Sequence, residues 1–325
     1  MAADTSGEPG RAAVRASVIV PVHDGAATLA AALSALARQE ATEAYEVIVV
    51  DDGSADASAA IAERGPGPVT VLRQEQAGPA AARNRGAEAA RGAVLCFTDS
   101  DCFPHSGWLA AGLAALEQAD LVQGAVRPDP GAKRTPYDRT LAILRESGLY
   151  ETANLFVRRE LFEALGGFEV WLEPEVGKPL AEDVWFGWCA RRAGARIAFC
   201  SEALVHHAVF AQRPLDVILD RRRLRYFPAI AAKVPEIRRT LFFARIFLSR
   251  RNAAFDVAVL AGAAALAARS PLPLVAASPY AWSLRRTARH WGKRGPGVAA
   301  VLAARDAVGL VSLLRGSARW RSLVL

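Results

Sequence analysis

The sequence predicts an α/β domain built on a mainly parallel sheet, and two observations carry that reading. Short apolar runs alternate with Ala/Leu-rich runs of helical length through the first hundred residues. The apolar runs also end, again and again, in clusters of acidic or polar residues, and ligands of such sheets bind beyond the carboxyl ends of the strands. Taken in order, residues 17–22 read as a buried strand running into His23-Asp24-Gly25, followed by a helix over 26–38. Residues 46–50 form the next strand, ending in Asp51-Asp52-Gly53-Ser54, where a helix over 54–64 begins. A strand over 69–72 and a helix over 78–91 follow. Gly92 then opens the run Ala93-Val94-Leu95-Cys96, short and continuously apolar, as a buried strand should be.

That last strand delivers Phe97-Thr98-Asp99-Ser100-Asp101. In extended backbone, residues i and i+2 project to the same side, so Asp99 and Asp101 are expected to face one point. Two carboxylates that close repel unless a cation lies between them. A hard divalent ion with oxygen ligands satisfies the pair and leaves coordination positions open for phosphate. A lone pair of this kind is a weak signal; its position among the other strand-end clusters strengthens it. No phosphate-binding loop of the G-x-x-x-x-G-K-[ST] type and no G-x-G-x-x-G is present.

The segments Ser17-Val18-Ile19-Val20-Pro21-Val22-His23, Val50-Asp51-Asp52-Gly53-Ser54, Ala82-Arg83-Asn84-Arg85-Gly86 and Thr98-Asp99-Ser100-Asp101, in that order, resemble family-2 glycosyltransferases of the GT-A fold. The likeness continues through Thr152-Ala153-Asn154-Leu155-Phe156, Leu165-Gly166-Gly167-Phe168-Glu169 and Glu182-Asp183-Val184-Trp185-Phe186-Gly187-Trp188, and spans residues 16–210. It is similar to the actinobacterial type, with a membrane-associated carboxyl-terminal region. The fold implied is the Rossmann-like, mainly parallel sheet of nucleotide-diphospho-sugar transferases, followed by an α-helical region. One position departs: the family often carries arginine after Trp188, and this chain has Cys189, with Arg191 and Arg192 a turn away.

The resemblance implies roles for individual residues. A nucleotide-sugar would lie against Pro21, His23, Asp51, Asp52, Arg83, Asp99 and Ser100, with Asp52 contacting the base. Arg83 is expected to reach the diphosphate or to brace Asp99. Mn²⁺ or Mg²⁺ would be held by Asp99 and Asp101, with a further ligand from His206-His207, of which His207 matches the family's histidine better while the choice between the two stays open. Glu182 and Asp183 open an amphipathic run, and the start of a helix favours an ionised carboxylate. The resemblance makes Asp183 the base of an inverting transfer, with Glu182 orienting it or binding sugar hydroxyls. Each assignment has a plainer structural reading: a turn and helix cap at 51–54, a paired-arginine helix surface at 83–85, an acidic first helical turn at 182–183. Trp185 and Trp188 are either stacking platforms for an acceptor or core residues.

Net charge divides the chain. Residues 1–211 carry 19 basic against 28 acidic side chains, and residues 212–325 carry 21 against 5. The α/β alternation stops at the same place. The expected organisation is a disordered Ala/Gly/Arg-rich tail over 1–15, a catalytic domain over 16–211, and a basic, apolar helical region over 212–325. Arginine-flanked apolar helices suit an anionic membrane surface; no nucleic-acid-binding module is recognisable, and nucleic acid is not an expected partner. The apolar runs 253–268, 272–284 and 298–314 fall short of the roughly 20 residues of a spanning helix or are interrupted by proline or charge, so peripheral or re-entrant association is expected. Four cysteines without C-x-x-C spacing argue against a zinc site, with Cys96 and Cys200 expected in the core. No leader is recognisable, and the cytoplasmic face of the membrane is the expected location. The partners implied are a nucleotide-sugar donor, a saccharide or lipid-linked acceptor, and anionic lipid. The competing expectations are a non-catalytic GT-A-like binding or scaffold protein and, more weakly, a sugar-nucleotide-forming nucleotidyltransferase.

Overall fold

A computed structural model of the protein describes residues 14–67, 69–173 and 180–325. The expected disordered tail over 1–15 lies outside the described residues apart from Val14 and Arg15. The chain forms two compact units: one takes the chain through Pro130 together with Leu141–Ala208, the other Gly131–Thr140 together with Val209–Leu325. The compositional boundary at 211/212 lies three residues beyond this division. Residues 131–140 join the second unit by strand pairing.

In the first unit, β1 (Ala16–Val22), β2 (Tyr45–Asp52), β3 (Val69–Gln74) and β4 (Val94–Thr98) are parallel, with helices α1 (Ala26–Leu36), α2 (Ser58–Glu63) and α3 (Pro79–Ala89) in the connections. β1 is buried along its whole length, as a central strand covered on both faces is, and its sequence is accordingly apolar apart from Ser17, whose hydroxyl donates to Glu46. The second helix is shorter than the run 54–64. Asp51 accepts from the Ser54 amide, Asp24 from the Ala55 and Asp56 amides, and Asp56 from the Ser58 amide. Side chains thereby satisfy the backbone donors that helix would have used, and the chain stays a loop to residue 57.

The remaining elements of this unit are β5 (Cys102–Pro104), α4 (Trp108–Ala115), β6 (Leu121–Pro128), β8 (Asn154–Arg158), α5 (Arg159–Ala164), α6 (Glu182–Arg192) and β9 (Ile197–His207), with β7 (Asp138–Arg139) belonging to the other unit. The sheet has eight strands among the described residues, in the order β3-β2-β1-β4-β8-β6-β9-β5. Parallel pairing holds through β1–β4 and between β6 and β9; β8 and β5 run antiparallel to their neighbours. Asn154 pins this mixed half: its amide donates to Ala125 O and Ala203 O and accepts from Trp108 Nε1. A buried amide so satisfied fixes β6, β8 and β9 in one register.

In the second unit, β7 pairs antiparallel with β10 (Phe210–Ala211), and the chain continues through α7 (Pro214–Leu219), a 3₁₀ turn over Asp220–Tyr226, α8 (Phe227–Lys233), α9 (Ile237–Thr240), α10 (Arg250–Ala268), α11 (Ser278–His290) and α12 (Gly295–Trp320). Two helical stretches, Arg250–Ala268 and Gly292–Trp320, are long and apolar enough to cross a membrane by length and composition. The apolar runs 253–268, which holds Asp256, and 298–314, which holds Arg305 and Asp306, lie inside these longer helices. The helices continue past them through polar residues, so length no longer argues against spanning. Asp306, in the middle of α12, is buried, bonded to Arg251, Arg305 and Tyr280.

Candidate active site

Because β1, β2 and β4 run parallel, their carboxyl ends emerge side by side, with Val22 opposite Asp51 and Ile19 opposite Phe97. A pocket of ≈ 270 Å³ opens there. It brings together seven of the residues singled out in the sequence: Pro21, His23, Asp52, Arg83, Asp99, Ser100 and Asp101. Asp51, Glu182, Asp183 and His207 lie outside this lining.

Successive strand residues face opposite ways, so Asp52 turns to the pocket while Asp51 turns to its own loop and caps Ser54. The Asp52 carboxylate is buried and accepts three hydrogen bonds, from Gln74 Nε2 (2.7 Å), the Ala77 amide (2.8 Å) and the Gly78 amide (2.8 Å). Its first duty is therefore to hold the 74–78 loop against the pocket, with about one of its four acceptor positions left over. Gly78 has φ 90°, a conformation an L side chain resists, and that turn is what aims its N–H at Asp52. His23 bonds through Nδ1 to Asp52 O (2.9 Å) and faces Gln76 through Nε2 (3.2 Å).

Asp99 and Asp101 do not sit on extended backbone. β4 ends at Thr98, and the Cys102 amide donates to Asp99 O across a tight turn. The same-side argument from strand geometry therefore fails in its premise, although both carboxylates still line one pocket. They have different partners. Asp99 Oδ1 accepts from Arg83 Nη2 at 2.8 Å, and Arg83 Nη1 reaches Glu182 Oε1 at 3.3 Å. Arg83 and Glu182 are both buried, 6% exposed each. Burial works against the Arg83 charge, but Asp99 and Glu182 outweigh it and hold the guanidinium more firmly protonated than usual.

Asp101 turns to β9 instead. Its Oδ2 lies 3.5 Å from His207 Nε2, and Asp101, Cys102 and His207 bring their ligand atoms within 4.8 Å of one another. A shift in register between Gly124 and Ala125 accommodates extra residues in β9, whose end then pairs with β5 so that His207 lies opposite Cys102. His206, one residue earlier, is opposite Phe103 and outside this group. His207 Nδ1 lies 2.7 Å from Ala208 O, close enough to donate to it. That tautomer leaves the Nε2 lone pair facing a carboxylate, an arrangement that wants a cation. Cys102 was not foreseen. Burial, then Asp99 and Asp101, push its thiol well up when no cation lies beside it. The donor set is one carboxylate oxygen and one imidazole nitrogen, with Asp99 beside it, which fits a hard or borderline divalent ion.

Glu182 and Asp183 open α6 as expected, immediately after Ala181, which is left-handed at φ 65°. The strained residue swings the chain so that α6 starts beside Arg83. The protonation expected from the helix start is corrected here. Burial, then Glu182, then Glu151, push the Asp183 carboxyl well above the usual range. A helix start is worth about 0.3–1 kcal/mol, which lost hydration and two neighbouring acids outweigh. Glu151 escaped the sequence reading; burial raises its carboxyl too, and among the described residues its Oε2 has no hydrogen-bond partner. Its signal was an acidic residue next to the Thr152-Ala153-Asn154 segment. Of the neighbours of Cys189, Arg191 bonds to Tyr150 and Glu146 and stacks on Trp188, and Arg192 stacks on Trp185. Trp188 is buried, donating to Gly148 O, whereas Trp185 is half-exposed and donates to Glu169.

Residues 17–169 match the family described as Glycosyl transferase family 2. The glycosyltransferase AglE of Haloferax volcanii is 37% identical over 167 residues, covering 47% of this chain and 55% of AglE; the chain spans about half the length of that relative. Among solved structures, the mannosyltransferase PcManGT from Pyrobaculum calidifontis, in complex with GDP-Man and Mn²⁺, superposes with a TM-score of 0.63 at 23% identity, over 91% of this chain and 87% of that one. TarS 1–349 of S. aureus, in complex with UDP-GlcNAc, gives 0.52 at 21% identity, over 95% and 93%. The mostly parallel sheet, its acidic carboxyl edge and these likenesses lead to one conclusion: residues 17–169 form a family-2 glycosyltransferase domain, and the fold is GT-A.

Proposed function

We propose that this protein is an inverting, metal-dependent glycosyltransferase that moves a sugar from a nucleotide-diphosphate donor to an acceptor hydroxyl on a cell-envelope glycan or glycolipid, at the cytoplasmic face of a membrane. One observation carries the reading: Asp52, Arg83, Asp99 and Asp101 meet in one pocket, and Arg83 ties it to the Glu182–Asp183 pair. The nucleotide would lie along Pro21, His23 and Asp52, which line the pocket; the neighbours PcManGT and TarS, solved with GDP-Man and UDP-GlcNAc, support a nucleotide-sugar as the donor class. Asp101 and His207 would hold Mn²⁺ or Mg²⁺, beside Asp99. When bound, the ion offsets the charge that grows on the diphosphate as it leaves.

The chain's own residues do the rest. Arg83 keeps Asp99 and Glu182 at fixed separation, so the donor side and the base side keep their geometry. Asp183 accepts the proton of the acceptor hydroxyl as that oxygen attacks the anomeric carbon. A carboxyl raised above its usual range is a better proton acceptor at neutral pH than an ordinary one, provided it is ionised when the acceptor arrives. The basic second unit, net +16 over residues 212–325, supports association with anionic lipid. The test is a donor screen: purified full-length protein, a panel of nucleotide-sugars, and Mn²⁺, Mg²⁺ or chelator, read as sugar release or transfer. Donor-dependent, chelator-sensitive turnover is expected. Tight donor binding without turnover on any acceptor fraction would make the chain a binding protein instead.

A further inference from the structure

We propose that the second unit contains a dedicated site for the phosphate headgroup of an anionic membrane phospholipid, in the groove between the 3₁₀ turn Asp220–Tyr226 and α12. The inference deepens the membrane association proposed above by naming the residues that would make it specific. The groove measures ≈ 490 Å³. Its polar rim is three arginines, Arg222 and Arg225 from the turn and Arg315 from α12, all exposed. None of its lining residues is acidic. Among the described residues neither Arg222 nor Arg315 has a hydrogen-bonding or ion-pair partner, and Arg225 only stacks on Tyr226, 4.8 Å from the ring centre. Three guanidinium groups around one cleft with no counter-charge repel one another, and an anion with several oxygens relieves that repulsion.

The carboxylates that could have neutralised them are occupied elsewhere. Asp306, the sole acid of α12, is buried against Arg251, Arg305 and Tyr280. Asp220, in the turn itself, accepts from Gln212. The groove is also fixed in shape. A Cβ on Gly316 would lie 2.1 Å from Arg225 O, so α12 and the turn pack backbone to backbone and hold Arg225 and Arg315 on either side.

The floor of the groove decides what kind of phosphate it takes. Val308, Val311 and Arg315 recur at helical spacing on one face of α12, with Val311 47% exposed and Leu314 beside it 46% exposed. A soluble phosphate has no use for an apolar floor; a phospholipid does, because its chains continue where the headgroup ends. The surroundings agree. Of the large apolar side chains exposed among the described residues, thirteen of fifteen belong to this unit, including Leu260, Leu266, Leu272, Val275 and Trp282, each more than 60% exposed. Apolar exposure on that scale within one unit favours a membrane or partner surface, and the arginines of the groove, above its own exposed Val311, favour anionic lipid.

The experiment is flotation of full-length protein with vesicles of phosphatidylcholine alone or with 30% phosphatidylglycerol, about physiological salt, so it needs no donor, acceptor or turnover. Failure here leaves the transferase reading standing, and the reverse also holds. The double variant Arg222→Gln/Arg315→Gln is expected to weaken binding to the anionic vesicles by about ten-fold or more. The control Arg285→Gln/Arg286→Gln on α11 removes the same charge from the same unit and is expected to weaken it far less. Val311→Ser, in the floor, is expected to weaken vesicle binding, and millimolar inorganic phosphate to leave it unchanged. Equal losses in the two double variants would reduce the effect to diffuse charge and overturn the site. Displacement of vesicles by inorganic phosphate, or an unaffected Val311→Ser, would show a soluble-phosphate site and overturn the lipid assignment. Circular dichroism melting of each variant shows that any loss is not unfolding, and the exposed positions chosen make folding a small risk.

Discussion

Arg83 on α3 binds Glu182 at the start of α6, Nη1 to Oε1 at 3.3 Å, while its other terminal nitrogen binds Asp99 at 2.8 Å. One buried guanidinium thus joins the turn after β4 to a helix that begins 99 residues beyond Arg83 itself. Asp99 and Glu182 are fixed relative to each other through a single side chain.

Arg83→Gln is therefore expected to damage stability and activity together. The neutral amide leaves Glu182 buried without its counter-charge, a loss on the order of 3 kcal/mol. Urea unfolding should show a lower midpoint with an unchanged slope, and transfer should fall even at temperatures where the variant is fully folded. Stability equal to that of the wild type would show that the ion pair is incidental.

Asp101→Ala separates the ion from the rest of the site. With Asp101 gone, His207 and Asp99 no longer surround a common point, and donor binding should lose its dependence on Mn²⁺ or Mg²⁺. Calorimetric titration of a nucleoside diphosphate with and without the ion measures this directly. Retention of ion-dependent binding in the variant would move the ion elsewhere.

Asp183→Asn is expected to leave donor affinity nearly unchanged and to lower turnover by roughly 10²-fold or more, the usual scale for a lost general base. Its effect on stability has a definite sign. The wild-type carboxyl is raised on folding, so the unfolded chain loses this proton first as pH rises above about 4. From there up to the folded value, the folded state loses stability relative to the unfolded one. The amide removes that loss: the variant should melt above the wild type at neutral pH, and the difference should vanish below pH 4. A variant that melts lower across the whole range would show Asp183 ionised and paired.

Glu151→Gln tests the same electrostatics from its neighbour. Glu151 is one of the groups that raise Asp183, after burial and Glu182. Without it the Asp183 carboxyl should ionise more readily, so the acidic limb of kcat/KM should move to lower pH. An unmoved limb would assign the titration to another group.

The sequence by itself determined the parallel half of the sheet and what stands at its edge. Strands buried on both faces are mostly apolar, and the residues at their carboxyl ends carry whatever chemistry the sheet edge performs; both are local and legible, which is why Pro21, His23, Asp52, Asp99 and Asp101 were all identifiable from the sequence. Only the tertiary structure decided which of them work together. The turn at 99–102, the register shift that carries His207 to Asp101, and the burial that lifts Asp183 rather than lowering it depend on contacts between residues far apart in the chain. Burial and counter-charge belong to the packed molecule: a carboxylate's neighbours, unlike its identity, are fixed only when the chain has folded around it.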